Sequence, residues 1–487
     1  MSERLDMLIC VVPKIFPDAP TVGPAVLKAH LNDAGFSCEI IDLNIKLFNE
    51  FAKHGDEKQF FDQDAAFRCR EVDKVNEVFG ENYQKYKYVF DQWMDLFKQK
   101  NPRWIGLSLL SSMSTAVAIK LSQLIREHLP DTKIVWGGVE VTVGRTSNYV
   151  EQGLIDHFIG GDGEIPIVEL LKGNYEHKGI DDNAPYQMIN LDSVKIPNYD
   201  DIDWDEYKFA VQPKPTYITG SRGCVKRCDF CNVYDIWPKY VFRSGKSIAE
   251  EIITVKQKYD RTTFKFTDSL INGSMKAFRE MLTILADYNN SRKTQEEKIQ
   301  WHSQWIVTNY RQSPEEDYKL MKESGCYALD VGVESFSQNV RWELGKKFTD
   351  EDMWWCFDML QKYKMHHTLL MFVGHPFETN EDHQITVDTI KKLSEKGYTS
   401  ARHDGKKLMY ISMANTMMLS DDTPVWNKVK DELEYWHNDW NWKFRDNTLD
   451  VRLNRLLEAN DLLKELAGQD KTWMVNKKIE MIRRSYS

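Results

Sequence analysis

The stretch Tyr217-Ile218-Thr219-Gly220-Ser221-Arg222-Gly223-Cys224-Val225-Lys226-Arg227-Cys228-Asp229-Phe230-Cys231 decides how this chain is read. A short β-rich run ends at Gly220, a Ser-Arg-Gly turn follows, and a C-x3-C-x2-C cluster begins at once. Thiolates this close along a loop are expected to converge on one soft metal centre. Three is one fewer than the four cysteines that close an ordinary [4Fe–4S] cluster. Cys224, Cys228 and Cys231 would therefore leave one iron open to a small molecule, an arrangement for chemistry rather than electron storage. Zinc fits less well, because a structural zinc takes four ligands in two pairs. No second C-x-x-C or H-x3-H pair lies nearby, and the first histidine after Cys231 is His302. A disulfide needs an oxidising compartment. Buried spectator thiols are the plain alternative.

Outward from the cluster, strands and helices alternate. Downstream, strands are expected at 215–219, 263–267, 299–306, 327–333, 367–373 and 408–412, with amphipathic helices between them such as 246–258 and 314–324. Upstream, short apolar runs at 8–12, 38–42, 104–108, 133–136 and 155–159 are separated by helical patterns at 23–34, 115–129 and from 164 to 171. Alternation at these lengths predicts parallel sheets covered by helices. In such sheets ligands sit beyond the carboxyl ends of the strands. Residues 46–100 read as an aromatic, charged helical insertion. Residues 176–214 are polar and proline-punctuated, as a linker would be, and the text from 421 onward reads as helical. The fold class expected is α/β, with domains at 1–175 and 215–420 and a helical region at 421–487. Trp436, Trp440 and Trp442 are read as packing residues.

The cysteine motif, with Phe230 directly before its last thiol, resembles the signature of radical S-adenosylmethionine (radical SAM) enzymes. That resemblance implies a partial (β/α)6 barrel, a [4Fe–4S] cluster whose open iron is chelated by SAM, and cleavage of SAM to a 5′-deoxyadenosyl radical. Three further stretches resemble motifs of this family, in the family's order over about 200 residues. Phe264-Lys265-Phe266-Thr267-Asp268 is similar to the strand-two motif, where Asp268 would accept from the SAM ammonium; a helix N-cap is the bland alternative. Gly332-Val333-Glu334-Ser335 is similar to Gly-x-Glu-Ser, with Glu334 aimed at the ribose or methionyl end. A buried carboxylate without a partner is costly, which favours a ligand for Glu334. Gly374-His375-Pro376-Phe377-Glu378-Thr379 is similar to the strand-five turn near adenine, though a plain turn accounts for Gly and Pro equally well.

The first domain resembles the cobalamin-binding domain that precedes many radical SAM barrels, a Rossmann-like fold. Ser108-Leu109-Leu110, Gly137-Gly138 and Gly160-Gly161-Asp162-Gly163-Glu164 stand where that family has Ser-x-Leu, Gly-Gly and Gly-Glu-Gly-Glu. Small residues there would let a nucleotide tail lie against backbone. The D-x-H-x-x-G motif that supplies an axial histidine is absent after the first strand, and no histidine appears before His30. Cobalamin would be held without that lower ligand.

Composition narrows the function classes. The chain has 487 residues, 42% hydrophobic and 12% aromatic, ample for two or three packed domains. A net charge of −10 without a basic run argues against a nucleic-acid partner. The first residues lack a signal-peptide pattern, no apolar run of about 18 residues exists, and scattered Cys10, Cys38, Cys69, Cys326 and Cys356 read as core thiols. A cytoplasmic protein is expected. The resemblance implies cobalamin-dependent methyl transfer to an unactivated carbon of a small-molecule substrate, with an electron donor such as flavodoxin or ferredoxin. Rearrangement or cyclisation with the same cofactors, and a non-catalytic iron–sulfur or corrinoid sensor, are the competing functions. His302, His366, His367, His375, His403, Tyr310 and Arg402 fall near the expected barrel mouth, and no catalytic role is assigned to any of them.

Overall fold

The computed structural model describes residues 4–62, 64–141, 143–182, 184–207, 214–401, 407–421 and 423–484. The chain divides into two compact units, one of residues 1–218 and 250–263, the other of 219–249 and 264–487.

The first unit holds a parallel sheet of β1 (Met7–Val11), β2 (Cys38–Asp42), β3 (Trp104–Ser108), β4 (Lys133–Gly137) and β5 (His157–Ile159), ordered β2-β1-β3-β4-β5. Strand β1 is buried along its length because both faces are covered, as parallel sheets require. Alternate residues serve different cores. Leu8 and Cys10 pack with Ile105, Trp136 and the aromatic insertion, whereas Met7 and Ile9 pack with Leu31, Val135 and Ile167. The order reverses between β1 and β3, and the crevice beyond their carboxyl ends is where such sheets bind ligands.

Three features depart from the sequence expectations here. The helical insertion is broken into pieces: between helices Leu43–Lys53 and Gly80–Lys100 stand short helices at Glu57–Phe60, Ala65–Arg68 and Val75–Val78, from which Phe60 and Phe67 reach the core, as does Phe79. A helix at Val143–Glu151 was not anticipated, because Gly144, Ser147 and Asn148 mask its period. The proline-punctuated segment is tied to this unit: Asp201 pairs with Lys28 and accepts from the Ile40 amide, while Tyr207 donates to Asp42 at 2.6 Å.

Two glycines of the cobalamin-like motifs are demanded by the chain itself. Gly138 has φ +106, and a Cβ there would lie 2.3 Å from Leu109 O; Gly161 has φ +85, with Tyr186 O at 2.2 Å. We expect Gly138→Ala to destabilise the first unit by about 2–4 kcal/mol, through φ strain plus a backbone clash. Urea unfolding followed by circular dichroism checks it. Gly137 is different, with nothing nearer than Ile159 O at 3.9 Å.

Beyond β6 (Thr216–Ile218) comes a two-stranded antiparallel pair, β7 (Ser221–Arg222) with β8 (Val241–Phe242). Then follow β9 (Thr263–Phe266), β10 (Gln300–Trp305), β11 (Cys326–Glu334), β12 (His366–Val373) and β13 (Met409–Thr416). The sheet order β13-β12-β11-β10-β9-β6 follows the sequence, with β10 to β13 paired in parallel. Leu329, Val331 and Val333 of β11 are buried under helices, which leaves Asp330, Gly332 and Glu334 on the opposite face.

The region after 421 is not wholly helical. The tryptophan-rich stretch forms a hairpin, β14 (Tyr435–Trp436) with β15 (Trp442–Lys443). Its turn is set by Asn438 Oδ1, which accepts from the Trp440 and Asn441 amides, and aromatic residues favour the extended arms. Trp442 is a packing residue as expected, fully buried with the Arg452 guanidinium 3.6 Å from its ring centroid. Helices Leu449–Ala467 and Thr472–Arg484 follow. Among the described residues no helix is long and apolar enough to cross a membrane.

Candidate functional site

The cysteine loop leaves the sheet through Gly220, whose missing side chain admits Asp268 Oδ1 and Ile248 Cδ1 to 3.1 and 3.0 Å of where a Cβ would stand. Asp268 is buried just beyond β9, accepting the Gly220 amide at 2.8 Å and the Ser221 hydroxyl at 2.5 Å. It caps no helix, since the next one starts at Met275 with Ser274 as its N-cap. Both carboxylate oxygens take part in holding the loop, each accepting one of these hydrogen bonds. Burial raises its pKa to about 7 against the opposing pull of those hydrogen bonds.

All three thiols are free, Cys228 buried and the others half-buried. Burial raises the Cys228 thiol to about 11 and pushes Cys224 up as well, with the Lys346 charge opposing in both. The Lys226 amide donates to Cys224 Sγ at 3.4 Å. Among the described residues no three His, Cys, Asp or Glu side chains converge to hold a single metal ion. Thiols that bind separate corners of a cubane have no need to meet, whereas a mononuclear zinc site would require it.

The loop is clamped from outside. The Asp229 amide donates to Leu344 O at 3.2 Å, and its carbonyl accepts from the Val425 amide at 2.9 Å. Asp229 Oδ2 lies 2.9 Å from Lys428 Nζ and 3.4 Å from His375 Nε2. The Phe377 amide donates to His375 Nδ1, so the ring's Nε2–H faces Asp229. Among the described residues, His375 is thus the one histidine of the expected set that the structure brings to the cysteine loop. His367 is buried on the helix side, its Nδ1–H donating to Met365 O, and burial lowers its pKa to about 4. His366 contacts Lys407 O, His302 pairs with Asp330 at 3.0 Å, and Tyr310 is exposed. Arg402 and His403 lie outside the described residues.

Glu334 ends β11 with φ +67, a left-handed conformation costing about 1–2 kcal/mol for a residue with a Cβ. It has a partner, contrary to the sequence expectation: buried Lys346 stands 3.1 Å from its Oε1 and 3.1 Å from Gly332 O. The Ser335 hydroxyl accepts from the Ser337 amide. Gly374, φ +87, leaves room for Arg452, whose Cδ is 2.4 Å from a virtual Cβ, and its amide donates to Glu378. Phe230 meets Phe372 edge-on at 5.4 Å. Phe230 and Glu334 open on a cavity of about 440 Å³, lined also by Met371, Phe372, Thr416 and Trp440. The buried Thr416 hydroxyl has no hydrogen-bond partner among the described residues.

Residues 218–390 match the family model described as the radical SAM superfamily. This segment is a radical SAM domain. An uncharacterized methyltransferase of Pyrococcus horikoshii is 26% identical over 360 residues, covering 70% of this chain and 75% of that protein. Cytidylyl-2-hydroxyethylphosphonate methyltransferase of Streptomyces wedmorensis is 25% identical over 193 residues, 38% of this chain and 34% of its own length. Two solved structures share the fold. The radical SAM methyltransferase TsrM from Kitasatospora setae, with cobalamin and a [4Fe–4S] cluster bound, has TM-score 0.58 at 17% identity, over 88% of this chain and 75% of that one. OxsB, a cobalamin-dependent radical enzyme with aqua-cobalamin bound, has TM-score 0.61 at 16% identity, over 88% and 61%.

Sequence reasoning missed Lys346, Asp229 and Lys428. Asp229 lay inside the motif, and Lys346 followed Gly345 after a helix, but neither position distinguishes a buried partner from a solvated charge.

Proposed function

We propose that this radical SAM enzyme is a cobalamin-dependent methyltransferase that places a methyl group on an unactivated carbon of a small molecule through a 5′-deoxyadenosyl radical. Residues 1–175 act as a Rossmann-like cobalamin-binding domain, 176–214 connect, 215–420 form the partial (β/α)6 barrel and 421–487 close it. The observation that carries this reading is a loop of three free thiols, braced by Asp268 and Asp229, with no fourth ligand beside them among the described residues. The first unit supports the second cofactor: Ser108 and Gly137 stand opposite each other at adjoining strand ends, and no atom fills the space a Gly137 side chain would take. Support also comes from the methyltransferase relative and from the cobalamin held by TsrM and OxsB.

Cys224, Cys228 and Cys231 would hold three irons. Phe230, Glu334, Ser335 and Gly374 would border SAM, with the orphaned Thr416 hydroxyl available to a ligand in the same cavity. Leu110, Gly160 and Glu164 would join Ser108 and Gly137 around the corrinoid, while Gly138 and Gly161 shape the loops that carry it. When bound, the cluster supplies the electron that cleaves SAM and the corrinoid supplies the methyl group; a flavodoxin or ferredoxin would provide that electron. The apolar wall of Leu370, Met371, Phe372 and Met417 would keep water from a radical. No side chain is given an acid or base role.

Anaerobic reconstitution with iron, sulfide and hydroxocobalamin tests this. Separate iron–sulfur and corrinoid absorption is expected, with 5′-deoxyadenosine and S-adenosylhomocysteine both released on reduction with SAM. 5′-Deoxyadenosine without S-adenosylhomocysteine would turn the reading to rearrangement, and neither product to a sensor.

A further inference from the structure

Lys346 is a buried cation whose neighbours are unusual. Its Nζ lies 3.1 Å from Gly332 O and 3.1 Å from Glu334 Oε1, and its side chain is 7% exposed. The turn that carries it is pressed against the cysteine loop. Gly345, φ +80, sits so close that a Cβ would lie 3.1 Å from Arg227 O and 3.8 Å from Cys228 Cα, and Leu344 O accepts the Asp229 amide. Burying an ammonium is costly unless negative charge compensates it. Burial disfavours the Lys346 charge, yet Glu334, Cys228 and Cys224 outweigh it and raise the pKa above the ordinary lysine value. The Cys228 and Cys224 side chains therefore lie within the field of this ammonium, which Glu334 also feels.

We propose that Lys346 is a positioning residue for redox chemistry: its fixed positive charge beside the cysteine loop stabilises the reduced over the oxidised state of the iron–sulfur cluster, while Glu334 moderates that charge. The step concerned is addition of one electron from an external reductant, with no bond or proton exchanged. An added negative charge in a low-dielectric site is favoured by a nearby cation far more than it would be in water. The inference rests on the three cysteines being cluster ligands.

The test is redox titration of the reconstituted, SAM-free protein, followed by electron paramagnetic resonance. Lys346→Met is expected to lower the equilibrium constant for reduction about tenfold, 59 mV more negative for a one-electron couple, with Lys346→Arg near the parent value. Should Lys346→Met not fold or load, Glu334→Gln provides the opposite sign, making reduction several-fold easier because the ammonium loses its counter-charge. An unchanged potential in iron-loaded Lys346→Met, or an unchanged or more negative one in Glu334→Gln, overturns the proposal. Parent protein that takes up no iron would instead overturn the assignment of the cysteines.

Discussion

Alanine at Cys224, Cys228 or Cys231, one at a time, is expected to remove the iron–sulfur absorption and lower SAM cleavage at least about a thousandfold, since the hard chemistry belongs to the cofactor. Among the described residues no cysteine or histidine near the loop is free to substitute. Cys10, Cys38, Cys326 and Cys356 are buried elsewhere, and His375 is engaged with Asp229. The fold should survive. A thiol-to-methyl change deletes one atom, and the loop is held by Asp268, Leu344, Val425 and Lys428 rather than by sulfur. Melting of the metal-free variants should stay within about 4 °C of the metal-free parent. Corrinoid absorption should be unaffected, because Ser108 and Gly137 belong to the first unit. A single variant that kept both the cluster spectrum and 5′-deoxyadenosine formation would refute the three-ligand assignment.

Legibility in the sequence followed the range of the interactions involved. The strands Cys38–Asp42 and Trp104–Ser108 were readable to the residue because each is a short run between breakers, with both faces buried. The cysteine motif was readable because its three thiols are close in sequence. Glu334 was readable as a special position, but its pairing with Lys346 spans a helix and a turn, and no pattern in the sequence encodes it. Gly138 and Gly161 stood out as motif glycines, but that the backbone there meets Leu109 and Tyr186 depends on tertiary contacts the sequence does not encode. The hairpin at Trp436 and Trp442 was lost among helical signals, since its cue is one asparagine whose turn role depends on tertiary confinement.

Asp268 gives the second large effect. Asp268→Ala leaves the buried Gly220 amide and the Ser221 hydroxyl without their acceptor, a loss of about 2–5 kcal/mol for two such groups. Because that pair begins the cysteine loop, cluster loading should fall several-fold along with stability. Asp268→Asn separates charge from hydrogen bonding. Its amide oxygen can still accept the Gly220 amide, and its NH2 can donate to the Ser221 hydroxyl. In the parent, burial holds the carboxyl up to about 7, against roughly 3.9 in the unfolded chain. Between those values the folded protein keeps a proton that the unfolded chain releases. This group's contribution to stability is therefore largest in acid and is lost as pH rises towards 7. The asparagine variant carries no such loss. It should exceed the parent at pH 8 by about 1–3 kcal/mol, and the advantage should vanish near pH 4. Denaturant unfolding of the metal-free proteins at the two pH values decides it. A gap between Asn and Asp that is independent of pH would mean that Asp268 is ionised in the folded protein at pH 4, and that its role is purely geometric.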